Sequence, residues 1–169
     1  MSGLLVRRAE SADFPAVARL TVAAYEADGQ LKGEHGYGAV LADVGTRAAS
    51  GEVLVAVDEE TGAVLGSVTF VLPGSAYAEL SGPGEAEFRM LAVDPAGQGR
   101  GVGAALARAC LTRAAELGCA AMVICVRAGM AVSAHRLYER LGFVRTPEKD
   151  WSPAPGVQLL GLRRELAAG

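Results

Sequence analysis

The sequence predicts a mixed α/β domain whose sheet is antiparallel early and parallel later. Two observations carry this. Val53–Val57 and Ala63–Leu72 are β-branched runs on either side of Asp58-Glu59-Glu60-Thr61-Gly62, the pattern of an antiparallel hairpin. Ala120–Val126 is unbroken apolar sequence, as in a strand covered on both faces, and a short helical crossover leads to it from the strand before, which requires the two to run parallel.

The elements follow in order. Leu4–Arg8 is a short strand. Ser11-Ala12-Asp13-Phe14-Pro15 opens a helix running to Tyr25, with proline near the first turn, where a missing N–H costs nothing. Residues 28–38, rich in glycine, read as a loop able to cover a site, and Tyr37–Ala49 reads as one helix ending at Ser50-Gly51. After the hairpin, Pro73-Gly74 and Gly82-Pro83-Gly84 mark a loop, and Ala86–Val93 is the next strand. Helix 104–117 places Leu106, Cys110, Ala114 and Leu117 on one face, with Gly118 at the C-cap. A later helix places Ala134, Leu137, Tyr138 and Leu141 on one face and ends at Gly142. Phe143–Arg145 and Val157–Arg163 close the sheet around a proline-rich bend.

Composition sets bounds. A chain of 169 residues suits one domain, large enough to bury about 68–70% of its unfolded surface. Apolar residues at 51% and charged ones at 21% fit a globular chain. A net charge of −3 with almost no lysine argues against a nucleic-acid surface. Cys110, Cys119 and Cys125 lack metal or disulfide spacing and read as reduced core residues. No apolar run is long enough for a membrane span and no signal-peptide pattern opens the chain, so the expectation is a cytoplasmic protein. With two histidines, His35 in the loop and His135 on a polar helix face, no metal cluster is expected.

The most informative passage is Asp94-Pro95-Ala96-Gly97-Gln98-Gly99-Arg100-Gly101-Val102-Gly103-Ala104, glycines alternating between a strand and an alanine-rich helix. Glycine admits positive φ and close ligand approach, and the first turn of a helix offers unpaired N–H groups and about half a positive charge to an anion. A plain tight turn is one reading. A Walker loop is excluded, because no Gly-Lys-Ser/Thr follows. Gly99-Arg100-Gly101-Val102-Gly103-Ala104 also fits G-x-G-x-x-A, and Arg127 could meet an NADP 2′-phosphate, but Asp94-Pro95 separates this turn from its strand.

The whole passage from Glu87-Phe88-Arg89-Met90-Leu91-Ala92-Val93-Asp94-Pro95 through Gln98-x-x-Gly101-x-Gly103, with Leu137-Tyr138-Glu139-Arg140-Leu141-Gly142-Phe143 downstream, resembles the GNAT family of acyl-coenzyme A dependent N-acetyltransferases. The resemblance implies a mixed sheet of six to seven strands flanked by about four helices, and transfer of acetyl from acetyl-CoA to a primary amine. It also implies that the amides of Gln98, Gly99, Arg100, Gly101, Val102, Gly103 and Ala104 hold the coenzyme A pyrophosphate. Leu91, Ala92 and Val93 would bond the pantetheine arm where two parallel strands splay, with a strand amide near Leu91 polarising the thioester carbonyl.

Tyr138 would protonate the leaving thiolate, its other reading being a core aromatic at helical spacing. Glu87 is the first candidate base and Glu85 the second, the alternative being solvated strand-end charges or a Glu87–Arg89 pair. Ala131 stands where many relatives carry asparagine. A coenzyme A binding module without turnover, or NADP binding, are the competing readings, and a homodimer is plausible from the family. Acceptor specificity is expected from the segments 28–38, 73–84 and 147–156.

Overall fold

The computed structural model describes residues 3–31, 36–129 and 132–166. A strand, β1 (Leu4–Arg8), leads through a 3₁₀ turn into helix α1 (Phe14–Ala27). Pro15 sits in the first turn of α1, as the sequence predicts. The predicted helix 37–49 is two, α2 (Tyr37–Ala42) and α3 (Val44–Ser50). Asp43 leaves helical conformation at the joint, and its carboxylate accepts the Thr46 N–H at 3.3 Å and the Thr46 hydroxyl at 2.7 Å, capping α3.

The hairpin forms as β2 (Glu52–Asp58) and β3 (Val64–Val71), followed by β4 (Glu85–Val93), helix α4 (Val102–Glu116) and β5 (Ala121–Arg127). Helix α5 (Val132–Arg140), β6 (Val144–Arg145), β7 (Trp151–Ala154) and β8 (Val157–Glu165) complete the order. The strand β7 lies inside the segment expected to be only a bend. It turns back on β8, pairing Trp151 with Leu159 and Ala154 with Val157.

The sheet runs β1-β2-β3-β4-β5-β8-β6, with β7 also on β8. Among the described residues the sheet thus has eight strands, one more than the upper expectation, with five α-helices in place of about four. The β4–β5 pair is parallel and every other described pairing is antiparallel. Among the described residues no helix is long and apolar enough to cross a membrane.

The main core lies between α4 and the sheet, where Leu106, Ala107, Cys110 and Ala114 are buried against strand residues such as Phe70, Met122 and Ile124. Each large apolar side chain buried there contributes about 1.5–3 kcal/mol. Leu117, expected on the same face, is 42% exposed, because it falls at the C-cap beyond the last helical turn. The close seat of α4 depends on Gly66 in β3. A Cβ there would lie 2.6 Å from Val102 Cγ1 and 3.0 Å from the Ala92 carbonyl oxygen.

A second core joins Val17 of α1 to Val44, Val53, Val55 and Val57. Beside it Arg47 is 1% exposed, donating to the Leu41 carbonyl at 2.7 Å, the Val40 carbonyl at 3.2 Å and the Thr69 hydroxyl at 3.2 Å. It ties the carbonyls of the last turn of α2 to β3, so the short helix that borders the site is anchored to the sheet.

Candidate active site

The parallel pairing of β4 with β5 stops early. Glu85, Ala86 and Glu87 pair with Ala121, Met122 and Val123, and beyond Glu87 the two strands no longer meet. On its other side β4 stays on β3 but slips register between Arg89 and Ala92, where Met90 takes φ 58°. A left-handed non-glycine residue costs on the order of 1–3 kcal/mol, and such strain concentrates at functional sites. The bulge turns β4 away from β5 and leaves the β5-facing backbone of its second half without strand partners on β5.

That gap opens into a cavity of about 470 Å³. Met90 and Leu91 border it from β4, Cys125, Val126 and Arg127 from β5, and Tyr138 from α5. The three segments expected to govern acceptor choice all reach it. Asp28, Gln30, Gly36 and Tyr37 come from the first, Glu79 from the second, Pro153 and Ala154 from the third. His35 and Ala131 lie outside the described residues.

At the end of β4 the Asp94 carboxylate accepts the Ala96 N–H at 2.8 Å and starts a 3₁₀ turn, Pro95–Gly97. Gly97 is buried, and a Cβ there would crowd Val102 Cγ2 at 3.1 Å and the Leu65 Cβ and carbonyl oxygen at 3.2 Å. Gly99 and Gly101 follow in the left-handed region, φ 77° and 76°. The first amide bond of α4 runs from Ala105 to the Gly101 carbonyl at 2.9 Å, so the Val102, Gly103 and Ala104 amides are the open N-terminal donors of the helix. Two expected cradle amides are committed within the turn, Gln98 to Pro95 and Arg100 to Gly97, each at 3.2 Å. The Arg100 side chain bonds Asp58 at 2.8 Å, fastening the turn to the end of β2.

Tyr138 is buried and packs edge-on against Phe88 and Phe143, ring centroids 5.7 Å away in each case. Those contacts fix its ring, contributing about 0.5–1.5 kcal/mol per pair beyond the burial itself. Burial pushes the phenol pKa up, so the group keeps its proton throughout the neutral range. Tyr138 is therefore at once a core aromatic and a cavity residue.

The two candidate bases are placed differently from a pair of solvated acids. Glu87 is 0% exposed, and its carboxylate accepts the N–H groups of Glu79, Leu80 and Ser81, all at 3.0–3.1 Å. It does not pair with Arg89, and it is not among the described residues lining the cavity. Glu85 accepts the Gly82 N–H at 2.8 Å and pairs with Lys149 at 3.4 Å and with Arg163. Partial burial opposes its ionisation, yet the Gly82 amide and Arg163 hold its pKa below the usual carboxylate value.

A different carboxylate faces the gap. Glu79, on the β3–β4 loop, pairs with Arg89 Nε of β4 at 3.0 Å and accepts from the Cys125 thiol of β5 at 3.4 Å. Arg89 also donates to the Tyr77 carbonyl at 3.0 Å and the Tyr37 hydroxyl at 3.2 Å. Against the cost of burial, the Glu79 carboxylate raises the Arg89 pKa above its ordinary value. Burial, helped by Glu79, pushes the Cys125 thiol up, so it stays a protonated donor.

The profile of the Acetyltransferase (GNAT) family matches residues 14–143. The chain belongs to that family. A GCN5-related N-acetyltransferase from Kribbella flavida is 30% identical, covering 96% of this chain and 98% of its own at a TM-score of 0.69. A protein from Corynebacterium glutamicum described as histone acetyltransferase HPA2 and related acetyltransferase is 25% identical, with 100% and 99% covered and a TM-score of 0.72. A structure from Salmonella typhimurium that holds its cofactor acetyl-CoA shares the fold at 22% identity, 98% and 95% covered, with a TM-score of 0.65. A search of the curated proteins finds no match.

In this GNAT chain Leu91 and Tyr138, both singled out from the sequence, border the cavity, and so does Glu79, which the sequence did not single out. Its only signal was membership of the Gly/Pro-bounded loop 73–84, because the contacts that define it, to Arg89 and Cys125, bridge distant parts of the chain.

Proposed function

We propose that the protein transfers an acetyl group from acetyl-CoA to a primary amine by direct attack within a ternary complex. The observation that carries this is the alignment of the β4–β5 gap with the glycine turn at the end of β4. An extended arm laid in the gap meets unpaired strand backbone, and a pyrophosphate at its end meets Gly99, Gly101 and the open amides of α4. Gly99 and Gly101 are exposed and nothing lies within 4 Å of a Cβ built on either, so the turn has room for a ligand. When bound, acetyl-CoA supplies an activated thioester carbonyl.

The chain's own groups do the rest. Backbone of β4 near Leu91 orients and polarises the carbonyl, and Arg89, Tyr37 and Glu79 bound the polar end of the cavity where an amine arrives. Tyr138 donates its proton to the thiolate as the C–S bond breaks, and the proton released by the amine nitrogen restores it through solvent. Calorimetry with acetyl-CoA and with NADP, followed by thiol release on adding amines, tests the reading. Saturable acetyl-CoA binding with amine-dependent thiol release supports it. Tight binding with no release across amines of every class would leave a coenzyme A binding module instead, and preference for NADP would remove both.

A further inference from the structure

The strand acid Glu87 and the loop acid Glu79 divide one task between them. The Glu87 carboxylate, fully buried, gathers three consecutive backbone N–H groups, those of Glu79, Leu80 and Ser81. Such a nest of amides on one anion is strong, because each bond is charge-assisted and shielded from water. It fixes the loop at the residue whose side chain enters the cavity. Glu79 then reaches across the open strands, touching Arg89 of β4 on one side and Cys125 of β5 on the other, beyond the last β4–β5 pair at Glu87 and Val123. No other described carboxylate joins the two splayed strands in this way.

Resting on the acetyl-transfer reading, we propose that Glu79 is the catalytic carboxylate that receives the acceptor's amino group, and that Glu87 is a positioning residue acting through it. Arg89 holds the Glu79 carboxylate at the cavity wall, where it can accept hydrogen bonds from an ammonium and orient its nitrogen towards the gap. A resting proton transfer from alkylammonium to carboxylate is opposed by about six pKa units, so the free amine forms by loss of a proton to water. The nitrogen then bonds to the carbonyl carbon, and its remaining N–H becomes acidic enough for Glu79 to accept. The C–S bond breaks, sulfur takes the Tyr138 proton, and the proton on Glu79 returns through solvent to Tyr138.

The test compares the native chain with Glu79→Gln, Glu87→Gln and the double variant, using thiol release from acetyl-CoA with ethanolamine, spermidine, glycine, L-glutamate and a lysine peptide. Amide hydrogen exchange is measured alongside. Glu79→Gln is expected to lower kcat about 100-fold or more with acetyl-CoA affinity unchanged. Glu87→Gln is expected to lower kcat roughly 10- to 100-fold, to speed exchange at Glu79, Leu80 and Ser81, and to have no further effect in the Glu79→Gln background. Should Glu87→Gln not fold, Glu87→Asp, one methylene short of the three amides, takes its place in the same cycle. Activity of Glu79→Gln within threefold of native, or equal losses from the Glu87 change in both backgrounds, would overturn the proposal. No thiol release by the native chain with any amine would overturn the acetyl-transfer reading instead, while exchange at 79–81 still reports whether Glu87 holds the loop.

Discussion

Tyr138 belongs at once to the core and to the cavity wall. Its ring is wedged between Phe88 and Phe143, and the burial that fixes it also keeps the phenol protonated. Tyr138→Phe preserves the ring and removes only the hydroxyl, so it isolates the proton-donor role. We expect kcat to fall about 100-fold, with acetyl-CoA affinity and melting temperature close to native. Stopped-flow thiol release and calorimetry on the same preparation check this, and an unchanged kcat would return Tyr138 to a purely structural role. At this scale the helical spacing of Leu137, Tyr138 and Leu141 already marked the residue as facing inward. What spacing could not show is that the inward face ends in a cavity.

At the scale of elements, the glycine turn and the helix after it act as one rigid part. Gly97 is packed between Leu65 and Val102, Arg100 ties the turn to Asp58, and α4 sits down on Gly66. Gly101→Ala adds a methyl into open space but forces alanine to φ 76°, at about 1–2 kcal/mol. Urea unfolding should show that loss and calorimetry a weakened acetyl-CoA affinity. A stability loss with affinity unchanged would remove the turn from the binding site. Gly103→Ala differs, because its Cβ would come within 3.2 Å of Leu137 Cδ2 on α5, the helix that carries Tyr138.

These local parts were legible in the sequence, since a strand, a cap and alternating glycines are neighbours along the chain. The division of 37–49 into two helices was not, because Asp43 ends one helix and caps the next with no proline or glycine at the joint. The strand β7 was hidden for a related reason. Its residues, Trp151-Ser152-Pro153-Ala154, carry no alternating pattern, and proline is tolerated there because the pairing to β8 is irregular. The burial of Glu87 was hidden most deeply, since only folding brings the 79–81 amides onto it.

Over the whole molecule, ion pairs hold the sheet's periphery together and set its response to acid. The Arg100 guanidinium, with the Thr61 and Glu60 amides, lowers the Asp58 pKa to about 2. Arg145 and the Gly161 amide do the same for Asp150, also to about 2. Both values lie below that of an unfolded aspartate, about 3.9. Their stabilisation is therefore complete above that pH and is lost as pH falls from about 4 towards 2. Urea midpoints from pH 2 to 7 should show native and Asp58→Asn chains differing at neutral pH and converging in that window. A difference independent of pH there would contradict this account of Asp58.

The same architecture puts the glycine turn after the end of β4, past the β4–β5 gap, and Glu79 beside that gap, and acetyl transfer to an amine is the activity proposed for them. Its most direct test is mass spectrometry of each amine after incubation with the native protein and acetyl-CoA, with free thiol measured in parallel. One N-acetylated amine is expected per thiol released, for at least one amine class. Saturable acetyl-CoA binding without any acetylated amine would contradict it.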